Sequence, residues 1–162
     1  LSTISRHWLL AAGSLCVAGA LVHLAIPIGG PAWYAYFGAP PALAAMADAG
    51  LARPVVTVLA ISGALLVMAA YAFSALGFVK PLPATRLVLA IVGIGLSVRG
   101  LAFPMVAMQA PEQLGRVCGR CEGLNAFVGL TSALCLFMGI GFLLGAWRHG
   151  SLVRRQAPSV PG

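Results

Sequence analysis

The sequence predicts an all-α membrane protein, an antiparallel bundle of four transmembrane helices with both termini cytoplasmic. Three observations predict it. Of 162 residues, 60% are hydrophobic and only 8% charged, against about 25% charged in an average soluble domain, and the mean hydropathy is +0.99. Four stretches stay apolar over the roughly 20 residues that a ~30 Å hydrocarbon layer requires. Their flanks, finally, divide the charge unequally. A chain of this length forms one domain, and a water-soluble globular protein is excluded. The net charge of +7 would suggest a nucleic-acid partner in a soluble protein. Here the basic residues flank apolar runs and read as topology signals, so the partner they imply is the bilayer and not nucleic acid.

The first span covers about 8–28, within a charge-free run from Arg6 to Asp48. It is too long for a cleaved signal peptide and lacks a small-x-small site at its end. Leu1 in place of Met points to a processed, trimmed or non-standard start. The second span covers 55–79 and the third 87–108, joined by Lys80-Pro81-Leu82-Pro83. Those prolines forbid continuous helix, so the second and third helices are expected to form an antiparallel pair. The fourth span covers 124–147. The bundle is expected to occupy 1–150, with 151–162 a cytoplasmic tail that frays from Gln156 and carries Pro158 and Pro161.

Loop charges orient the bundle. Arg6, Lys80, Arg86, Arg148, Arg154 and Arg155 fall on one side with no acidic residue. Arg53, Arg116 and Arg120 share the other with Asp48, Glu112 and Glu122. The positive-inside rule puts both termini and the 80–86 connection in the cytoplasm, and the 29–53 and 109–123 connections in the periplasm or outside the cell. Packing in lipid has no hydrophobic drive, so the many span glycines, including Gly93, Gly100 and Gly139, are expected to set close helix approach. Gly141 and Gly145 form a GxxxG that serves either internal packing or an oligomer contact.

The unusual residues concentrate on the outer side. Trp33, Tyr34, Tyr36 and Phe37 follow the first span directly; they read as an interfacial anchor or as the rim of a site opening to the outer leaflet. Residues 41–50 read as a short Ala-rich helix with Pro at its start and Gly at its end. Arg99 lies near the middle of the third span, where a cation costs roughly 2.5–3.5 kcal/mol on insertion scales. No carboxylate occupies any span. It is either satisfied internally, by the Gly100 carbonyl that Pro104 leaves free or by Ser97, Thr57 or Thr131, or it awaits a lipid phosphate, a quinone oxygen or a partner's carboxylate. His23, about 8 Å inside the outer end of the first helix, is expected at a depth where Arg99 could reach it. His7 and His149 sit at the cytoplasmic boundary, and no two histidines share a helix face, which speaks against haem and against a His-based metal site.

Cys118-Gly119-Arg120-Cys121 is the strongest chemical motif. Its spacing closes a small ring, and Arg120 with the following helix N-terminus would favour a thiolate. It reads as a static disulfide, a redox pair or, less well, a zinc site, which would need two further ligands. Cys16 and Cys135 read as small apolar core residues.

With topology and the CxxC placed, the layout resembles that of the vitamin K epoxide reductases, small four-helix membrane proteins with CxxC at the outer start of the last helix. The resemblance implies a quinone-like substrate for Cys118 and Cys121. The chain departs from that family in having no cysteine in 29–53, where a second, shuttling pair would lie. A closer resemblance, over His23 to Pro27, Gly30-Pro31-Ala32-Trp33-Tyr34 to Phe37-Gly38-Ala39, and Arg99-Gly100-Leu101, is to uncharacterised small four-helix bacterial membrane proteins. It implies a bacterial inner membrane and no particular activity. The expected function is a non-catalytic accessory or structural subunit of a larger membrane complex, with His23, Trp33, Tyr34, Arg99 and Arg120 as ligand or partner contacts. The alternative is a periplasm-facing thiol–disulfide oxidoreductase, coupled to quinone, with Cys118 and Cys121 catalytic. Ion-coupled transport ranks lower because every acid lies in a loop.

Overall fold

The computed structural model describes residues 2–156, with side chains described for 3–148. Leu1, the side chain of His149, those of Arg154 and Arg155, and residues 157–162 with Pro158 and Pro161 lie outside that set. Regular structure among the described residues is entirely helical: α1 (Ser2–Ala25), a 3₁₀ turn (Ile26–Gly29), α2 (Gly30–Tyr36), α3 (Pro41–Asp48), α4 (Arg53–Leu76), α5 (Thr85–Gln109), α6 (Pro111–Val117) and α7 (Ala126–Gln156).

The helices α1, α4, α5 and α7 are long and apolar enough to cross a membrane. They coincide with the four predicted stretches to within a few residues, except at two ends. The first apolar run continues from α1 through the 3₁₀ turn into α2. Pro27 cannot donate to a helical ladder, and Gly30 then turns the chain at φ 67°, where a side chain would be strained. The last helix continues through Gln156, so residues 151–156 extend α7.

The 77–84 connection is closed by one side chain. Gly77 ends α4 in the left-handed region. The buried Ser74 hydroxyl then donates to the Lys80 carbonyl (3.1 Å) and accepts from the Leu82 N–H (2.9 Å). Thr85 Oγ1 donates to the Leu82 carbonyl at 2.7 Å, so the two prolines sit in a connection whose polar groups are met.

The helices do not pair as their order in the chain suggests. α4 and α5 run antiparallel across the short connection, but α5 packs chiefly on α7 and α4 chiefly on α1, with α1 and α7 in contact between them. Glycines decide this. A Cβ on Gly93 would meet Leu143 at 2.7 Å and the Gly139 carbonyl at 3.0 Å; one on Gly100 would meet Leu136 at 2.6 Å and the Ser132 carbonyl at 2.8 Å. Seven residues along α5 thus correspond to seven back along α7, a small-residue seam in which backbones touch. On the other side of α7, Gly141 lies against the Trp8 carbonyl and Ala12, and Gly145 against Leu9. Within this chain the GxxxG is an internal contact with α1. The core between these helices holds Leu9, Ala12, Cys16, Leu89 and Phe142, all nearly or fully buried.

Gly100→Ala is expected to destabilise the bundle by about 1–3 kcal/mol, since a methyl there overpacks against backbone. Gly63→Ala, on α4 with nothing within 4 Å of the added carbon, is expected to be neutral or stabilising by up to about 1 kcal/mol. Denaturant unfolding of both variants in detergent micelles measures the difference.

Candidate functional site

Two of the three connections between the apolar helices, 26–52 and 110–125, fold over one end of the bundle as a cap. Proline opens α3 and α6 and occupies the second position of α2, where its missing N–H costs nothing. In the cap, Cys118 and Cys121 form a disulfide with Cα atoms 5.3 Å apart. Cys118 is 8% and Cys121 1% exposed, and both pack with Ala107, Leu114 and Val128. Gly38, at φ 79°, lies over the pair: a Cβ there would be 2.8 Å from the Phe127 ring and 3.4 Å from Cys118 Sγ.

Arg120 is engaged with the aromatic segment of the cap. It donates to the Tyr36 carbonyl at 2.8 Å, and its guanidinium lies 5.0 Å from the Tyr36 ring centre and 5.2 Å from that of Phe127. Beside it, the Gly119 N–H donates to the Ala39 carbonyl at 3.2 Å. Asn125 caps α7, accepting from the Val128 N–H at 3.0 Å while its own amide donates to the Arg120 carbonyl at 2.8 Å. The 118–125 loop is therefore a clamp on residues 36–39.

Those residues roof a pocket of about 570 Å³ between the ends of α1 and α4 and the short helices α2 and α3. Its walls are mainly apolar, with Ile26, Leu43, Met46, Val58 and Ile61 among them, and its polar residues are His23, Tyr34, Arg53 and Thr57. Tyr34 is 3% exposed and packs with Ile26 and Val58. Its buried hydroxyl has no partner. His23 Nδ1 lies 2.8 Å from the Gly19 carbonyl. A carbonyl only accepts, so Nδ1 carries a proton, and in the uncharged tautomer Nε2 is then an acceptor. The rim reading of the aromatic segment thus applies to Tyr34 and Phe37, while Trp33 stays 44% exposed on the outside of the cap, in edge contact with Phe37 at 5.9 Å.

Arg99 belongs elsewhere. It sits on the α5–α7 seam with its guanidinium 3.2 Å from the centre of the Phe103 ring, a cation–π contact. The internal hydrogen bonds expected for it are not made. Buried Arg99 Nη1, Ser97 Oγ and Ser132 Oγ are all without partners. Thr57 donates to Arg53 and Thr131 to Phe127 and Val128, so both hydroxyls serve their own helices. His23 and Arg99 are not brought together, because α1 faces α4 and α7 while α5 faces α7.

Of the predicted site residues, His23 and Tyr34 share the pocket, Arg120 and the cysteines share the clamp, and Trp33 and Arg99 stand apart. Sequence reasoning missed Arg53 and Thr57, which counted only as a loop charge and a hydroxyl; their i, i+4 spacing on an otherwise apolar helix was the available signal. No three His, Cys, Asp or Glu side chains converge among the described residues. No family model, curated protein or solved structure matches the chain.

Replacing both cysteines by Ala is expected to lower stability by about 2 kcal/mol, the chain-entropy value for so short a loop. The same loss should appear on unfolding the unaltered protein in reductant, measured as the denaturant midpoint in detergent.

Proposed function

We propose that the protein is a non-catalytic integral subunit of a larger complex in a bacterial inner membrane, with both termini cytoplasmic and the cap in the periplasm. One observation carries this reading. Arg99 stays partly exposed near the middle of α5 with one guanidinium nitrogen lacking any hydrogen bond, and Gly95, one turn away on the same face, has nothing within 4 Å of its would-be Cβ. A second helix can approach closely over Gly95 and bring a carboxylate to Arg99, a group that the spans of this chain do not contain. The neighbouring face of α5 exposes Ile91, Ile94, Val98, Leu101 and Met105, spaced for a helical partner or for lipid.

The alternative, a quinone-coupled thiol–disulfide oxidoreductase, draws weaker support from the oxidised Cys118–Cys121 pair. Both sulfurs are buried under the Gly38 roof, so a partner thiolate gains access only if the cap opens. Trapping of a mixed disulfide by Cys118→Ser in oxidising membranes would favour that reading over ours.

The test is purification of the tagged full chain from its native membrane in mild detergent. Arg99→Ala is expected to reduce co-purifying membrane protein at least tenfold, Arg99→Lys to retain part of it, and Cys118→Ser/Cys121→Ser to leave it unchanged. Recovery of the same proteins at unaltered yield with Arg99→Ala would remove the basis of the proposal.

A further inference from the structure

We infer that the pocket under the cap binds a single-chain glycerophospholipid, held by its phosphate and by a glycerol hydroxyl. The inference uses none of the residues through which the Arg99 contact would act, so each stands or fails separately.

The ligand class follows from what the pocket leaves unsatisfied. Arg53 is the first residue of α4 and stays exposed at the edge of the pocket, and no acidic residue lines the pocket. A cation without a countercharge at the end of an apolar helix calls for an anionic group, and the planar guanidinium fork suits phosphate. Tyr34 adds a second donor, its buried and unpartnered hydroxyl.

His23 supplies the opposite need. With Nδ1–H given to Gly19, the uncharged tautomer of the ring offers Nε2 as an acceptor. Ser62 Oγ reaches the Ala20 carbonyl at 3.3 Å, which sets the register of α1 on α4 and places His23 level with about residue 59. That is roughly 9 Å inward of Arg53 along α4. A bare carboxylate or phosphate answers the donors Arg53 and Tyr34 that line the pocket and offers His23 no donor. A phosphate followed inward by a hydroxyl satisfies all three, and a glycerol phosphate with one free hydroxyl has that order.

The rest of the pocket takes the chain. Ile26, Leu43, Met46, Val58 and Ile61 supply apolar wall, and a methionine adapts to a flexible acyl chain. The volume of about 570 Å³ is that of a site for one small ligand, which favours a single chain over two.

The experiment uses the full chain in an uncharged detergent and titrates 1-oleoyl-glycerol-3-phosphate, read by native mass spectrometry. Oleate, 1-oleoylglycerol, glycerol 3-phosphate and decylubiquinone are titrated in parallel. One saturable site is expected for the oleoyl glycerol phosphate, with oleate and oleoylglycerol at least tenfold weaker and no saturable binding of glycerol 3-phosphate. Arg53→Gln should weaken it at least tenfold, with Arg53→Lys recovering part, and Ala42→Trp, on the exposed side of the lining, should block it at unchanged helical circular dichroism. Equal affinity of oleoylglycerol or decylubiquinone would overturn the phosphate assignment. Saturable binding of glycerol 3-phosphate alone would make it a free-phosphate site and overturn the amphiphile assignment. Unchanged affinity in Arg53→Gln or Ala42→Trp would overturn the location.

Discussion

The backbone-to-backbone approach of α7 to its two neighbours governs the rest of the structure. For helices this apolar, side chains in a lipid surrounding would gain nothing by leaving it for one another, so contact area and close packing would have to hold them. Gly139 meets the Ser97 side chain and the Gly93 carbonyl on one face of α7, while Gly141 meets Trp8 and Ala12 on the other. Two residues along a helix turn it by about 200°, so one short stretch of α7 serves both neighbours. That makes α7 the centre of the bundle and leaves α4 and α5 as its flanks.

The positions of both polar features follow from this arrangement. Because α5 docks on α7 through Gly93 and Gly100, Arg99 is carried to the edge of that seam, where it finds Phe103 and no acceptor. Because α4 docks on α1 instead, the ends of α1 and α4 leave a gap that α2 and α3 roof. A bundle in which α4 and α5 packed tightly along their length would place His23 and Arg99 differently.

The cap shows a division of labour that the CxxC motif alone does not reveal. Burial of both sulfurs, the Gly119 bond to Ala39 and the Arg120 bond to Tyr36 turn 118–121 into a fastening between the α5–α7 half of the molecule and the roof of the α1–α4 pocket. Exposure and a nearby cation favour a reactive thiolate. Here the cation is engaged by a carbonyl and two aromatic rings.

Hydropathy alone determined that four apolar helices exist, the bounds of the second and third to within a few residues, and that the 41–50 segment contains a short helix. These are local properties, set by runs of side chains and by proline and glycine at the ends. Which helix touches which depended on glycines far apart in the sequence coming into register, and no local pattern carries that pairing. The same holds for the pocket. Arg53, Thr57, His23 and Tyr34 come from three helices, and each looks unremarkable on its own: a boundary charge, a helix hydroxyl, a lone histidine, an interfacial tyrosine. Only the docking of α4 on α1, with the clamped roof above, brings them to the wall of one apolar cavity. Arg99 is the converse case. Its cost was legible from composition and depth, but whether acceptors engage it was decided by packing, which placed the hydroxyls of Thr57 and Thr131 on their own helices' carbonyls and left those of Ser97 and Ser132 without partners.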